Sequence, residues 1–484
     1  MRASEEQVID IVNLAVRPVA KMLEICDKNR HAENDFKRII PYPVFKHDSN
    51  ATYRDVDSAS YSESPFDYGA YFGNERAWDA RVLYSELPGF EELAEYIYNI
   101  EPLRQYLNAI EDAASPNDHV LRVGIGHALS AAVDRHIHCI GFKLDESYVR
   151  AFLSSYVSSW IPENLPIELV VPILNVYFDL DVMELKESVR IERMSDEFQL
   201  ARWRNSRKSA VEDVLLMASH ALVLKGWTIP NPHSMALMGR NGDESLDIPF
   251  ASQFFQALAA YSNAPTGYVQ VIYRPVGWMR QTKGVLPSII HGPIVEEFST
   301  GLRLGIEPHS RLGREQCEQL KRFFISIDSG DNAVKIASTR LWEAARRRSD
   351  VDRILDLCIG IESLIAGEPG DTAYKIAMRM AAVLSKCGIG SASQIMKAAK
   401  IIYGYRSSVA HGRGKPGKSL KIQWDGSECD TLDVAQNFLH LLLSSRLKGY
   451  FTKPEDVDEN IIAQAIDSWG QQNQEPDSKR LAAE

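Results

Sequence analysis

The chain has no window of about 18 consecutive apolar residues, so a helical membrane span is not expected. Its opening residues, M-R-A-S-E-E-Q-V-I-D, lack the basic start, apolar stretch and small-residue cleavage site of a secretory signal, and a cytoplasmic protein is the expectation. Cysteine is sparse: Cys26, Cys139, Cys317, Cys358, Cys387 and Cys429 are scattered, the closest two being 29 positions apart. That spacing reads as buried thiols, not as a disulfide framework or a zinc knuckle. A Gly-Lys-Ser/Thr phosphate loop is absent, and Gly124-Ile125-Gly126-His127 lacks the strand-loop-helix setting and later glycine that a nucleotide loop requires. Acidic residues vanish between Asp371 and Asp425, a stretch of 53 residues that carries ten lysines and arginines, and this leaves the rest of the chain at −21 against a net charge of −11. Such an island is either a solvated basic face or a field that attracts a polyanion.

What is present is an ordinary globular balance, 45% apolar and 25% charged over 484 residues, enough for two domains or one large domain with a smaller partner. Residues 5–27 have apolar positions at helical spacing, with Pro18 expected to kink or divide the helix, and 47–76 read as a loop or long excursion. The pattern is helical again from Pro88 to about Trp160. Strand signals follow at Leu169–Phe178, Ser188–Arg193 and Tyr268–Tyr273, with a helix predicted over 206–224 between the last two. Residues 1–300 are thus expected to form one mixed α/β domain with antiparallel strands and no legible catalytic motif. After about 310 the strand signals stop, and helices are predicted over 313–327, 332–348, 351–366, 372–386, from Ser391 toward His411, over 431–451, and from Thr452 through Trp469. Ser391 with Gln394, and Thr452 with Glu455, have capping-box spacing, and Gly412 and Gly414 are helix stops. Residues 471–484 form a polar tail. The fold class expected is α+β, a mixed domain followed by an all-α bundle over 310–470.

Three ordered blocks narrow the second half. They are Asp352–Leu364 (D-R-I-L-D-L-C-I-G-I-E-S-L), Ala373–Ala382 (A-Y-K-I-A-M-R-M-A-A) and Tyr405–Gly412 (Y-R-S-S-V-A-H-G). Together they resemble the Apea-like branch of the HEPN superfamily, over about a third of the chain. The resemblance implies a helical bundle that homodimerises so that two Arg-x4-His motifs share a cleft. It also implies cleavage of RNA without metal or cofactor, in bacterial toxin or phage-defence systems. Arg406 and His411 are then the catalytic pair, with Ser407 in an orienting or phosphate-binding role; a solvent-exposed serine would look the same. Glu362 and Arg379, from the other two blocks, are supporting candidates: Glu362 either orients Arg406 or pairs with Arg379, or makes a plain salt bridge. Arg413, Lys415 and Lys418 lie in a glycine-rich basic loop suited to tracking a phosphate backbone, although its glycines also serve as caps. The tyrosine at which some HEPN toxins are silenced by nucleotide transfer has no counterpart in Gly412–Lys415.

The chemistry is coherent with those residue types. RNA brings its own nucleophile, the 2′-hydroxyl, so the protein must move protons and stabilise phosphorane charge. Histidine moves protons near neutrality, and the planar guanidinium binds two phosphate oxygens at once. Residues five apart lie about 140° round a helix, so Arg406 and His411 do not share a face unless the helix frays at His411, where Gly412 follows. Competing readings are a non-catalytic HEPN module that binds RNA, nucleotide or protein, and a metal site at His136 and His138 with His119 and His127. The last is disfavoured because histidines two apart point to different sides of a helix. Arg346-Arg347-Arg348 reads as a solvated helix end. The N-terminal domain is expected to recognise a phage-derived or host protein trigger, a partner or the substrate.

Overall fold

The computed structural model describes residues 5–31, 36–39, 41–46, 52–75, 80–108, 118–203, 212–231, 248–280, 282–302, 308–367, 373–412, 421–424 and 426–472. The fold is α+β. It opens with α1 (Glu5–Asn29), whose buried positions Ile11, Ala15, Val19, Met22 and Cys26 form one stripe. Pro18 does not divide this helix. It is itself buried in the stripe, and packing against the following helices outweighs the one backbone hydrogen bond that proline forfeits. Short pairings follow: β1 (Lys37–Arg38) with β4 (Phe66–Asp67), β2 (Pro43–Phe45) with β3 (Val56–Ser58), and β5 (Phe72–Gly73) with β6 (Val82–Leu83). The excursion expected over 47–76 is therefore stitched by strands of two or three residues where it is described. Helices α2 (Phe90–Tyr98), α3 (Glu101–Asn108), α4 (Asp118–Cys139) and α5 (Glu146–Val157) close a first apolar core with α1.

The sheet comes next. Its strands are β7 (Asn164–Ile173), β9 (Val182–Lys186), β10 (Val189–Arg193), β11 (His220–Pro230), β12 (Gly267–Pro275) and β13 (Ile290–Phe298), with β8 (Val176–Phe178) standing outside it. The order is β13-β12-β7-β11-β10-β9, with every pair antiparallel. Asn175, at φ +63°, breaks the single strand expected over Leu169–Phe178 into β7 and β8. Between β10 and β11 lie α6 (Asp196–Arg202) and α7 (Glu212–Leu215). The helix predicted over 206–224 is corrected here: 206–211 lie outside the described residues, and His220–Leu224 open a central strand. Ala221 to Leu224 are buried on both faces, so they lack the alternation that marks a strand in a sequence. β13 also went unpredicted. Its Pro293 suggests a break, yet an edge strand tolerates a missing N–H.

Alternation along β7 sends Leu165, Ile167, Leu169, Val171 and Ile173 to one core and Val170 and Leu174 to another. On the first face sits α8 (Pro249–Ser262). A short strand, β14 (Ser310–Leu312), pairs in parallel with β8 and leads into α9 (Arg314–Ser329), α10 (Asn332–Arg346), α11 (Asp350–Ile365), α12 (Ala373–Lys386) and α13 (Ala392–Ala410). A hairpin, β15 (Lys421–Trp424) with β16 (Ser427–Asp430), then interrupts the helical run that the sequence predicted as continuous. Trp424 caps it onto Phe438 of α14 (Thr431–Leu447), ring centres 5.3 Å apart. The described residues end in α15 (Pro454–Asp456), a π-helical stretch Val457–Ile462, and α16 (Ala463–Gln472), and the polar tail expected over 471–484 lies outside them from 473 onward. The cap of this last segment uses Asp456, not the expected Glu455, as acceptor for the Thr452 and Lys453 N–H groups. α8 packs on α9, α10 and α14, so the sheet face and the helices after residue 310 share one apolar core running from Leu165 to Val457. Among the described residues no helix is long and apolar enough to cross a membrane.

Candidate functional site

The buried residues of α13 are Ile395, Ala398, Ala399, Ile402 and Tyr405, at helical spacing, and they seat the helix on α11, α12 and α14. The capping box foreseen at Ser391 and Gln394 is present and fixes its start. With Tyr405 facing the core, Arg406 emerges one step round the helix, beside α11. There its Nη2 lies 3.9 Å from Glu362 Oε1, with the two side chains 40% and 31% exposed. This is an ion pair at the limit of contact in partial water, weak enough to leave the guanidinium donors largely unspent. Ser407 is exposed. His411 is also exposed and stands at the C-cap of α13, its N–H donating to Ser407 O at 3.1 Å, while Gly412 turns to φ +65° and donates to Val409 O. Arg406 and His411 therefore share one surface-exposed helix end, separated by about 7.5 Å along the axis and about 140° round it.

Two residues that the sequence did not single out lie beneath. The Cys358 thiol is fully buried, and burial, with Glu362 nearby, pushes its pKa up to about 12, an effect that Arg406 opposes. Burial likewise drives Tyr403 well above the usual phenol range, with Cys358 and Glu362 adding to it. The Tyr403 hydroxyl is buried without a hydrogen-bond partner among the described residues. Neither group supplies an anion at neutral pH. The ionic chemistry of this patch belongs to Arg406 and Glu362. Only a three-dimensional contact between α11 and α13 brings these four side chains together, and no local sequence signal encodes it.

Arg379 is placed elsewhere. It is 1% exposed and donates Nε and Nη2 to the Asp458 carboxylate at 2.9 and 2.8 Å, and Nη1 to Ile365 O at 2.8 Å. It ties α12 to the π-helical stretch and does not pair with Glu362. Arg413, Lys415 and Lys418 lie outside the described residues. In the first core, His136 Nδ1 donates to Gly141 O and its Nε2 accepts from Asp145 N, both at 2.9 Å, while His138 Nε2 meets Phe66 O at 2.8 Å. Those ring nitrogens are engaged by backbone groups. Among the described residues no three His, Cys, Asp or Glu side chains converge as metal ligands.

No family model, curated protein or solved structure matches the chain.

Proposed function

We propose that this chain is a metal-independent endoribonuclease of the HEPN type, working in the cytoplasm as a homodimer in phage defence or a toxin system. The observation that carries the reading is the end of α13: a loosely held guanidinium and an accessible imidazole on the surface of a basic helix, both within reach of a polyanion. In the reaction His411 takes the proton from the 2′-hydroxyl as the 2′-oxygen attacks phosphorus. The bond from phosphorus to the 5′-oxygen breaks, and an imidazole, that of the second copy, returns a proton to the leaving oxygen. Arg406 offsets the charge on the phosphorane, Glu362 aims it, and the Ser407 hydroxyl donates to a phosphate oxygen. The angular separation within one chain makes the second copy necessary, since two copies supply two arginines and two histidines to one phosphate. Arg379 supports the site by fixing α12. Arg413, Lys415 and Lys418 follow the RNA backbone, and the residues before 300 recognise the trigger.

That same separation favours a second reading, a module that binds RNA without cutting it. Incubating the purified chain with total RNA in EDTA separates the two. Cleavage should yield 2′,3′-cyclic phosphate ends and disappear in both Arg406→Ala and His411→Ala. Binding without shortening selects the module, and cleavage that survives in both variants overturns the assignment.

A further inference from the structure

Where β8, the end of β10 and β14 meet the β2–β3 hairpin there is a cavity of about 260 Å³, just below the usual range for ligand sites and so suited only to a small ligand. Three arginines line it from segments far apart in the chain: Arg54 before β3, Arg193 at the end of β10 and Arg311 in β14. Each guanidinium is laid over a ring. Arg54 sits 3.7 Å from the centre of Phe45, while Arg193 and Arg311 sit 5.0 and 4.9 Å from the centre of the same Tyr177. Aromatic stacking fixes these planes before any ligand arrives, which reduces the ordering cost of binding.

Among the described lining residues the cations outnumber the acids: Asp196, which pairs with Arg54, is the one acid, and the partner of Arg193, Asp181, is 84% exposed. Nε and Nη1 of Arg54 and Nη2 of Arg193 make no hydrogen bond among the described residues. Behind the wall lies a fourth guanidinium. Arg202 is 2% exposed and donates to Gln199 Oε1 at 2.5 Å and to Ala218 O at 3.3 Å, and both of these residues line the cavity. It has no carboxylate partner among the described residues, and although burial lowers its pKa to about 9 it stays cationic at neutral pH. Two guanidinium groups on one ring with a third cation buried behind them set up a positive local field that favours an anion in the cavity.

We propose that this cavity binds a small phosphate-bearing ligand no larger than a nucleoside monophosphate. One guanidinium fork satisfies a carboxylate, whereas three suit the oxygens of a phosphate dianion. Val56, Met194 and Leu216 give the rest of the ligand an apolar wall. The site is separate from α13 and independent of its chemistry.

Calorimetric titration and thermal shift of the full chain test this with inorganic phosphate, ribose 5-phosphate, the four ribonucleoside monophosphates and their nucleosides. At least one phosphorylated probe should bind below about 1 mM and raise the melting temperature, with affinity falling as salt rises and the matching nucleoside inert. Arg54→Gln and Arg193→Gln should each weaken it about tenfold or more. If either glutamine variant unfolds, Arg54→Lys and Arg193→Lys keep the charge, lose the fork and should still bind more weakly. Failure of every probe at about 10 mM, equal binding of nucleoside and nucleotide, or affinity unchanged in the folded variants each overturns the proposal.

Discussion

Two arginines in the same basic stretch are held in opposite ways. Between α12 and the π-helical stretch, Arg379 is sealed from water and all three of its nitrogens are engaged. On the α11–α13 surface, Arg406 is 40% exposed and has a single carboxylate at 3.9 Å. The difference shows that charge density along a chain does not locate a site. What separates architecture from an available cation is whether a carboxylate arrives in good geometry and whether water is excluded.

The strongest way to break the contrast is Asp458→Ala. It strands a buried guanidinium and should cost about 3 kcal/mol, the low end for a broken buried pair because Asp458 is itself 37% exposed. Urea denaturation measures it. A loss below about 1 kcal/mol would place Arg379 in the same class as Arg406.

A third basic group sharpens the comparison. His440 on α14 donates Nδ1 to Ala259 O where α14 packs on α8, and burial lowers its pKa from 6.5 to about 4. Having no acid, it stays neutral. Below pH 6.5 the unfolded chain takes up a proton that the folded histidine refuses, so stability is complete above that pH and declines as pH falls toward 4. His220 on β11, lowered to about 4 chiefly by burial, adds in the same direction. Each contributes up to about 3 kcal/mol to this acid limb, and His440→Gln should flatten it in denaturation curves taken from pH 7 to 4.

Arg406→Ala and His411→Ala should change stability by less than about 1 kcal/mol while lowering the proposed RNA cleavage about 100-fold or more. Loss of folding in either would move that residue to the architectural side. Smallest is Glu362→Gln, expected to cost a few tenths of a kcal/mol and to reduce cleavage several-fold through a less well aimed Arg406. An unchanged rate would remove Glu362 from the site.

Local signals carried the helical half well. Gly388, the Ser391–Gln394 box and Gly412 mark the ends of α12 and α13 because caps and stops act within four residues. The strands were harder. β11 is buried on both sides and so lacks alternation, and β13 carries a proline that only its edge position permits. The hairpin 421–430 is held by Trp424 on a helix that comes later in the chain. At the site, the position of Arg406 and His411 on one helix was legible, since a helix is local. The partner of Arg379 was not legible: it lies 79 positions on, and nothing near Ala373–Ala382 names Asp458. Tyr403 and Cys358 are brought together by packing alone, as are the arginines around Tyr177.

The apolar core that runs without a seam from Leu165 to Val457 also bears on heredity. A bundle cut out at residue 310 and fused to another domain would carry a bare greasy flank where α8 had been, and would tend to aggregate. Recombination therefore cannot move the helices away from their sheet without exposing this face. In descent, the strands and the helices after them should travel together.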